Sequence, residues 1–143
     1  MSVIVRPATL NDKDQCLSLI STLSGKMKQL GWEETYTQLL DGERGGILVA
    51  EEDGVILGTV TISYNLAIRY GGEYCQLEEL IVNEEARGKN AGGILVQAAV
   101  DCARVRGCAE MGLYLIERTE GNRPFYEKYG FEYVGSEMRQ QLK

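Results

Sequence analysis

The chain has 143 residues, of which 44% are hydrophobic and 25% charged, and this composition is typical of one globular domain. Fifteen Lys and Arg residues against 21 Asp and Glu give a formal net charge of −6, which argues against the basic surface that nucleic-acid binding needs. The chain has no histidine, which excludes zinc sites with histidine ligands and any mechanism that relies on a histidine base.

The sequence contains four cysteines: Cys16, Cys75, Cys102 and Cys108. None belongs to a Cys-x-x-Cys pair, so we expect reduced thiols and no metal site. The N-terminal residues lack the apolar core of a signal peptide, and no segment approaches the ~18 apolar residues of a membrane span. We therefore expect a cytoplasmic protein with a single domain over residues 1–143 that binds neither membranes nor nucleic acid.

In chain order the sequence predicts strand Val3–Arg6, helix Asn11–Ser24, helix Trp32–Leu40, strand Ile47–Glu51, strand Val55–Tyr64, strand Cys75–Val82, helix Ala91–Arg106, strand Met111–Ile116, helix Asn122–Tyr129 and strand Phe131–Leu142. Asp53-Gly54 predicts a tight hairpin turn, Asn65 to Tyr74 a loop, and Gly107 the end of the long helix. The order β-α-α-β-β-β-α-β-α-β indicates an α+β fold, with a mixed, mostly antiparallel sheet and helices on both faces.

A glycine-rich turn, Arg87-Gly88-Lys89-Asn90-Ala91-Gly92-Gly93, connects the strand that ends at Val82 to the long helix. Unpaired backbone amides and the positive end of the helix dipole meet there, and Arg87 and Lys89 add charge. Such a turn suits a pyrophosphate, although a plain strand-to-helix connection would have the same sequence. It matches neither a P-loop nor a dinucleotide-binding fingerprint.

A second motif, Asn122-Arg123-Pro124-Phe125-Tyr126-Glu127-Lys128-Tyr129-Gly130-Phe131, follows the strand that begins at Met111. Together the two motifs resemble the GCN5-related N-acetyltransferase (GNAT) superfamily, which has Arg/Gln-x-x-Gly-x-Gly/Ala after its fourth strand and Phe-Tyr-x-x-x-Gly-Phe near its C-terminus. Val5-Arg6-Pro7-Ala8 and the Asp53-Gly54 hairpin also match the family, so the resemblance covers essentially the whole chain. Asn90 departs from it, because the family usually has glycine there. Asn tolerates positive φ, so we expect the turn to survive with weaker binding of coenzyme A.

The resemblance implies acetyl-coenzyme A (acetyl-CoA) as the donor, with its pyrophosphate on the turn and its pantetheine arm added like a strand beside Leu80–Val82. Asn122 would help to hold the arm, and Tyr126 would protonate the leaving thiolate; the alternative for Tyr126 is a core tyrosine. The cofactor-binding residues implied are Leu80, Ile81, Val82, Arg87, Gly88, Lys89, Asn90, Ala91, Gly92, Gly93, Asn122, Phe125 and Tyr126.

Direct transfer to a protonated amine requires a base. Strand alternation places Glu78 on one face with Leu80 and Val82, and Glu79 on the opposite face. Family members often place the base four or six residues before the Val82 position, and of the two residues there, Gln76 and Glu78, only Glu78 can ionise. The alternatives are that both glutamates form ion pairs or that water carries the proton.

The predicted function is therefore an N-acetyltransferase that moves acetyl from acetyl-CoA to the primary amine of a small molecule or peptide by direct transfer in a ternary complex. The second motif also resembles the branch that includes glucosamine-6-phosphate N-acetyltransferases, for which Lys26, Lys28 and Arg69 are candidate phosphate ligands. A non-catalytic coenzyme-A-binding sensor on the same fold is a further alternative. We expect the loops Gly25–Trp32 and Asn65–Tyr74 to line the acceptor site. An exposed final strand is compatible with a homodimer.

Overall fold

The computed structural model describes residues 2–86 and 88–143. Its helices and strands are β1 (Ile4–Pro7), α1 (Lys13–Ser24), α2 (Trp32–Leu39), β2 (Gly45–Glu52), β3 (Val55–Ala67), β4 (Gly72–Val82), α3 (Ala91–Arg106), β5 (Met111–Leu113) and α4 (Arg123–Glu127). Short 3₁₀ turns cover Leu10–Asp12, Ile68–Tyr70, Glu84–Ala86 and Glu117–Asn122. Among the described residues no helix is both long and apolar enough to cross a membrane.

The five strands form one sheet in the order β1-β2-β3-β4-β5. The first four are antiparallel to their neighbours, and β5 runs parallel to β4. Alternate residues of β2 face opposite sides of the sheet: Leu48 packs in the core beneath α3, whereas Val49 packs in the core beneath α1 and α2. The predicted α+β class, with a mixed sheet and helices on both faces, is confirmed.

Local turn chemistry explains two of the element boundaries. Asp53 and Gly54 have φ values of 53° and 81°, so the β2–β3 hairpin closes through the tight turn that the sequence predicts. Gly107 has φ 90° and ends α3 one residue after Arg106, which confirms both predicted ends of this helix.

The C-terminal segment differs from the prediction. The structure describes residues 131–143, and they form no strand, so the predicted strand Phe131–Leu142 is wrong for a single chain. β5 also ends at Leu113, three residues before the predicted Ile116. The element order is therefore β-α-α-β-β-β-α-β-α, and β5 is the last strand of the sheet.

The predicted loop Asn65–Tyr74 is mostly strand. Hydrogen-bonded pairing of β3 with β4 continues through Asn65 opposite Tyr74 to Ala67 opposite Gly72, and a 3₁₀ turn at Ile68–Tyr70 closes the hairpin. Polar and aromatic side chains in this segment suggested a loop, but cross-strand pairing overrides composition here.

One ion-pair network ties β1 to the start of α1 and to β2. The Arg6 guanidinium donates two hydrogen bonds to the Asp12 carboxylate, at 2.8 and 3.0 Å, and a third to Glu51. Asp12 also accepts the Thr9 amide at 2.8 Å, and it is only 5% exposed. The guanidinium beside it lowers the pKa of Asp12 to about 2.

Candidate active site

The sheet opens where β4 and β5 part. β5 pairs with β4 only at Cys75–Leu77, opposite Met111–Leu113. From Glu79 to Val82, β4 stays paired with β3, but no described strand pairs with its other edge. The backbone groups at Leu80–Val82 are therefore open on this side, and an extended chain carrying amide groups could add there as a strand does.

A β-bulge in β4 changes the direction of the two candidate base residues. Thr61 pairs with Glu79 and Ile62 pairs with Leu77, so Glu78 is the extra residue. Leu77, Leu80 and Val82 accordingly all pack toward the core beneath α3. The prediction that Glu78 shares a face with Leu80 and Val82, opposite Glu79, is wrong, because the bulge interrupts the alternation on which it depends.

Both glutamates line one cavity of about 570 Å³ between α1, α2 and the diverging strands β4 and β5. Tyr126 at α4 and Asn122 just before α4 line the same cavity. The two side chains predicted to be catalytic, Glu78 and Tyr126, thus face a common space. They are far apart in the sequence, and the fold brings them together.

The walls of this cavity differ in part from the predicted acceptor site. Lys26, Gln29 and Trp32 line it, as expected for the first loop. No residue of the described segment 65–74 does, because that segment forms the far end of the β3–β4 hairpin. The wall that segment 65–74 was expected to form consists instead of residues of α1 and of the segment 113–119, which follows the point where β4 and β5 diverge.

Glu78 and Glu79 have different surroundings. Glu78 is exposed and accepts a hydrogen bond from the Ser63 hydroxyl at 2.6 Å. Glu79 is half-buried; the Thr61 hydroxyl donates to its carboxylate and accepts its backbone N–H at 3.1 Å. Burial raises the pKa of Glu79, and the nearby charge of Glu78 adds to this, while the hydrogen bond from Thr61 opposes it.

Tyr126 is held by the aromatic residues of the second motif. Its ring lies edge-on to Phe125 at 5.0 Å and to Phe131 at 6.2 Å between centroids. Burial raises the pKa of Tyr126, so its hydroxyl keeps its proton at neutral pH. Tyr126 is thus a half-buried, protonated tyrosine that lines the cavity.

The glycine-rich turn before α3 contains two residues with positive φ, Gly88 and Asn90. Asn90, which stands where the family usually has glycine, has φ 56°, in the left-handed region that glycine adopts readily and asparagine tolerates. Its backbone carbonyl accepts a hydrogen bond from the Ile94 amide at 3.1 Å. The amides of Ala91, Gly92 and Gly93 lie in the first turn of α3, where an α-helix has no internal acceptor for them. Arg87, a predicted cofactor ligand, lies outside the described residues. Gly88, with φ 86°, lies within them.

The other predicted ligands of the turn are placed as follows. The Lys89 ammonium pairs with Glu52 at the end of β2, which directs it toward the β2–β3 hairpin. A Cβ on Gly92 would lie 3.5 Å from both Phe125 and Val82. A Cβ on Gly93 would come within 2.0 Å of the Tyr129 hydroxyl, so this glycine is needed for the close packing of the α4 region on α3.

Sequence reasoning missed four residues of this site: Thr61, Ser63, Arg118 and Arg139. Thr61 and Ser63 hold the two glutamates, and the alternation of hydroxyl residues along β3 (Thr59, Thr61, Ser63) could have indicated them. Arg118 lines the cavity from the 3₁₀ turn Glu117–Asn122 and Arg139 from the C-terminal segment, which has no helix or strand, and no sequence signal indicated them. Among the described residues, no group of three or more His, Cys, Asp or Glu side chains could hold a metal ion.

Comparison with curated proteins gives three relatives annotated by activity. The chain is 31% identical over 102 residues to an uncharacterized N-acetyltransferase of Bacillus subtilis, with 71% of this chain and 68% of that protein covered. It is 28% identical over 90 residues to the glucosamine 6-phosphate N-acetyltransferase of Trypanosoma brucei brucei, covering 62% and 59%. It is 27% identical over 107 residues to an uncharacterized N-acetyltransferase of Methanocaldococcus jannaschii, covering 73% and 47%. The chain thus spans about half the length of the archaeal relative and under two thirds of the trypanosomal one.

Solved structures share the fold. A transcriptional regulator from Bacillus halodurans superposes with a TM-score of 0.87 at 20% identity, covering 98% of this chain and 99% of that one. Glucosamine-6-phosphate N-acetyltransferase from Arabidopsis thaliana superposes with a TM-score of 0.83 at 21% identity, covering 100% of both chains. The model of the acetyltransferase (GNAT) family matches residues 14–131, a range that includes both motifs and the diverging strands. The chain therefore belongs to the GNAT family of acetyltransferases.

Proposed function

We propose that this chain transfers the acetyl group of acetyl-CoA to the primary amine of a small molecule or peptide, by direct transfer in a ternary complex. The observation that carries the proposal is one cavity, next to the open edge of β4, lined by a carboxylate pair and by a protonated tyrosine. Family membership supports the reaction class. The carboxylate pair supports a base and the tyrosine supports an acid for this reaction.

Acetyl-CoA is the proposed donor because two features of the chain fit its two ends. The amides in the first turn of α3, with Gly88 and Asn90 before them, suit a pyrophosphate. The open edge at Leu80–Val82 suits the amides of a pantetheine arm. Asn122 and Phe125 would lie beside the arm; the ring of Phe125 already packs close to Gly92 at the start of α3.

In the proposed mechanism, Glu78 removes a proton from the bound ammonium and so exposes the nitrogen lone pair. The nitrogen forms the new C–N bond at the acetyl carbonyl carbon, the C–S bond breaks, and Tyr126 donates its proton to the leaving thiolate. The proton that the nitrogen loses as it becomes an amide then restores the Tyr126 hydroxyl. Glu79 is the neighbouring alternative for the base, since the bulge turns both carboxylates toward the cavity.

A second candidate acceptor is an amine that also carries an anionic group, such as an amino-sugar phosphate. Lys26, Arg118 and Arg139 line the same cavity as the glutamates, so cationic and anionic side chains face one space. Of the cations expected from the sequence, Lys28 pairs with Glu33, and Arg69 stacks on Tyr70 and Tyr74 away from the cavity. Two relatives carry the name glucosamine-6-phosphate N-acetyltransferase.

Release of free thiol from acetyl-CoA, measured with a panel of amines, tests the proposal. We expect thiol release that depends on the amine and produces the N-acetylated amine. Glucosamine and glucosamine 6-phosphate form a matched pair, and a lower KM for the phosphate would favour the anionic acceptor. Acetyl-CoA binding without thiol release for any amine would instead indicate a non-catalytic coenzyme-A-binding domain.

A further inference from the structure

The acceptor cavity, lined by Glu78, Glu79 and Tyr126, is larger than an amino group and an acetyl group require. Its volume of about 570 Å³ lies in the range of pockets that enclose a whole small ligand. The groups proposed to act on the amine lie on β4 and α4, and the remaining walls come from α1, α2 and the segment 113–119. The body of the acceptor, which is the part that carries the amine, would therefore lie against these remaining walls.

Three apolar side chains on these walls pack against neither apolar core of the described chain. Ile20 and Leu23 lie on α1, Leu115 follows β5, and all three are half-buried and line the cavity. Ile20 and Leu23 are three residues apart, so they lie on one face of the helix. Ile116, which is 38% exposed, lines the cavity next to Leu115. Apolar side chains that face a cavity and belong to no core are the kind of wall that an apolar ligand covers.

α2 and the sheet extend this apolar surface toward the protein interior. Trp32 and Leu39 of α2 line the cavity and also pack against the core beneath α1 and α2. The cavity reaches Leu17 and Ile47 of that core, which are 6% and 5% exposed. A hydroxyl group placed against these aliphatic side chains would lose its hydrogen bonds to water and find no partner on them. The inner part of the cavity therefore favours an apolar ligand over a sugar.

The cationic side chains of the cavity lie on its solvent side. Those that line the cavity are all exposed: Lys26, Arg118 and Arg139. By contrast, the described lining residues that are buried carry no charge. An ammonium bound at the carboxylates of Glu78 and Glu79 thus has charged side chains toward the solvent and apolar side chains toward the interior.

We propose that the acceptor is a primary amine with an apolar body, of the alkylamine or arylalkylamine class, and that α1, α2 and Leu115 enclose this body. The inference rests on the proposed transfer reaction and names its substrate class. The ammonium binds at the carboxylate pair, and the apolar body covers Ile20, Leu23 and Leu115, which pack against neither core. The formal net charge of −6 favours the approach of such a cation.

A homologous series of primary alkylamines, from ethylamine to hexylamine, tests the proposal by thiol release from acetyl-CoA. The amino groups of these compounds have similar basicity, so the series changes only the apolar body. We expect kcat/KM to rise about fourfold with each methylene until the cavity is filled, since burial of one methylene corresponds to ~0.8 kcal/mol. Glucosamine, whose body carries hydroxyl groups, should be a poorer acceptor than hexylamine.

Leu23→Ala and Leu19→Ala form a matched pair of variants on α1. Both remove the same atoms from a half-buried leucine, but Leu19 packs against the core beneath α1 and α2 and does not line the cavity. Leu23→Ala should lower the ratio of kcat/KM for hexylamine to that for ethylamine at least about fivefold. Leu19→Ala should leave this ratio unchanged. Because both amines are measured on the same variant, the ratio does not depend on how much of the protein is folded.

Trp32 gives a readout that does not depend on acetyl transfer. It is the only tryptophan of the chain, and it lines the cavity. With coenzyme A in place of acetyl-CoA, hexylamine should change the fluorescence of Trp32 at a lower concentration than ethylamine does, and Leu23→Ala should remove most of this difference.

These measurements separate the failure of this inference from the failure of the proposed function. If hexylamine binds more tightly than ethylamine but no amine releases thiol, the ligand class is supported and the proposed transfer is wrong. If amines release thiol at rates that do not depend on chain length, the transfer is supported and the apolar acceptor is overturned. A preference for hexylamine that survives Leu23→Ala combined with Ile20→Ala would also overturn it, because the apolar body would then lie elsewhere.

Discussion

One extra residue in β4 determines where the side chains of Glu78 and Glu79 lie. They are adjacent in sequence, and regular alternation would separate them onto opposite faces of the sheet. The bulge at Glu78 brings both to one cavity, where Ser63 and Thr61 hold them in different surroundings. Neither sequence position nor access to the cavity therefore distinguishes which of them would act as the proposed base.

Glu78→Gln and Glu79→Gln form a matched pair for identifying the base. Each keeps the size and hydrogen-bonding capacity of the side chain and removes its basicity. For Glu78→Gln we expect a large loss of kcat/KM near neutral pH that shrinks at high pH, because the amine then arrives unprotonated. Glu79→Gln should have the smaller effect. The measurement is the pH profile of thiol release for both variants.

Two results would contradict the assignment of Glu78. If Glu79→Gln alone shows the pH-dependent loss, the half-buried carboxylate is the base. If the loss in Glu78→Gln is confined to the KM of the amine and disappears with added salt, Glu78 attracts the substrate without accepting its proton, since exposed charges are screened beyond ~8–10 Å.

Tyr126→Phe removes one hydroxyl and leaves the aromatic packing against Phe125 and Phe131 in place. We expect the turnover number to fall at least about tenfold, with little change in the KM for acetyl-CoA, because general acid catalysis contributes typically ~10²–10⁴-fold. Tyr129→Phe is the control, since Tyr129 belongs to the same motif but does not line the acceptor cavity. Wild-type turnover in Tyr126→Phe would mean that Tyr126 only packs.

Among the elements, α3 begins at the residue that the sequence predicts, directly after the glycine-rich turn. Asn90 takes the positive φ that the family's glycine would take, and its carboxamide oxygen lies over Gly93 in the first turn. That oxygen occupies space beside the amides proposed to bind pyrophosphate. The departure from the family pattern thus preserves the turn while crowding the anion site.

Asn90→Gly should tighten the binding of acetyl-CoA severalfold, because glycine keeps the positive φ and removes the side chain over Gly93. Calorimetric titration gives the affinity. Asn90→Ala is the contrasting variant: it also removes the carboxamide, but a positive φ costs alanine ~1 kcal/mol, so the free protein should be less stable. Weaker binding by Asn90→Gly would show that the Asn90 side chain is itself a ligand.

The elements that sequence predicted well are those with local determinants. Asp53-Gly54 determines its hairpin, and the apolar spacing of α3 with Gly107 determines both helix ends. The bulge at Glu78 depends on how β3 and β4 pair, with Thr61 opposite Glu79 and Ile62 opposite Leu77, and a single extra residue has no signature in the sequence. The residue types at 131–142 favour a strand, but no strand among the described residues pairs with this segment.

The same distinction holds for the candidate site. Tyr126 and Glu78, which line one cavity, could be proposed from the sequence because each belongs to a motif within a few residues of sequence. Arg118 and Arg139 could not be proposed in this way, because they belong to no sequence motif and only the course of the folded chain places them at the cavity. The acceptor wall at 113–119 depends on where β4 and β5 diverge, which is a property of the sheet.

At the scale of the whole molecule, the sheet separates two apolar cores, and the Arg6 network links the elements around one of them. Arg6 lies on β1, Asp12 at the start of α1 and Glu51 on β2, so one guanidinium joins three parts of the fold. Beside it, the Tyr36 hydroxyl of α2 donates to the Thr9 carbonyl at 2.7 Å. These contacts hold α1 and α2, which also form walls of the cavity lined by Glu78 and Tyr126, against the sheet.

This network predicts how the fold responds to acid. The pKa of Asp12 is lowered to about 2 in the folded chain, from an ordinary value near 4, because Arg6 and the Thr9 amide stabilise the charged form. A lowered carboxyl pKa contributes stability that is complete above the ordinary value and is lost as the pH falls through the folded one. The Asp12 contribution should therefore be present at neutral pH and disappear between about pH 4 and pH 2.

Asp12→Asn tests this contribution. At pH 7 we expect the variant to be less stable by about 2 kcal/mol, since a pKa change of roughly two units corresponds to about that free energy. The difference from wild type should shrink as the pH falls from 4 toward 2, because the wild-type carboxyl then becomes neutral as well. Urea unfolding at a series of pH values measures both quantities. Asp101→Asn is the control, since Asp101 is exposed and its ion pair with Arg104 is long, at 3.9 Å. A stability difference for Asp12→Asn that stays constant from pH 7 to pH 2 would show that Asp12 acts through packing and not through its charge.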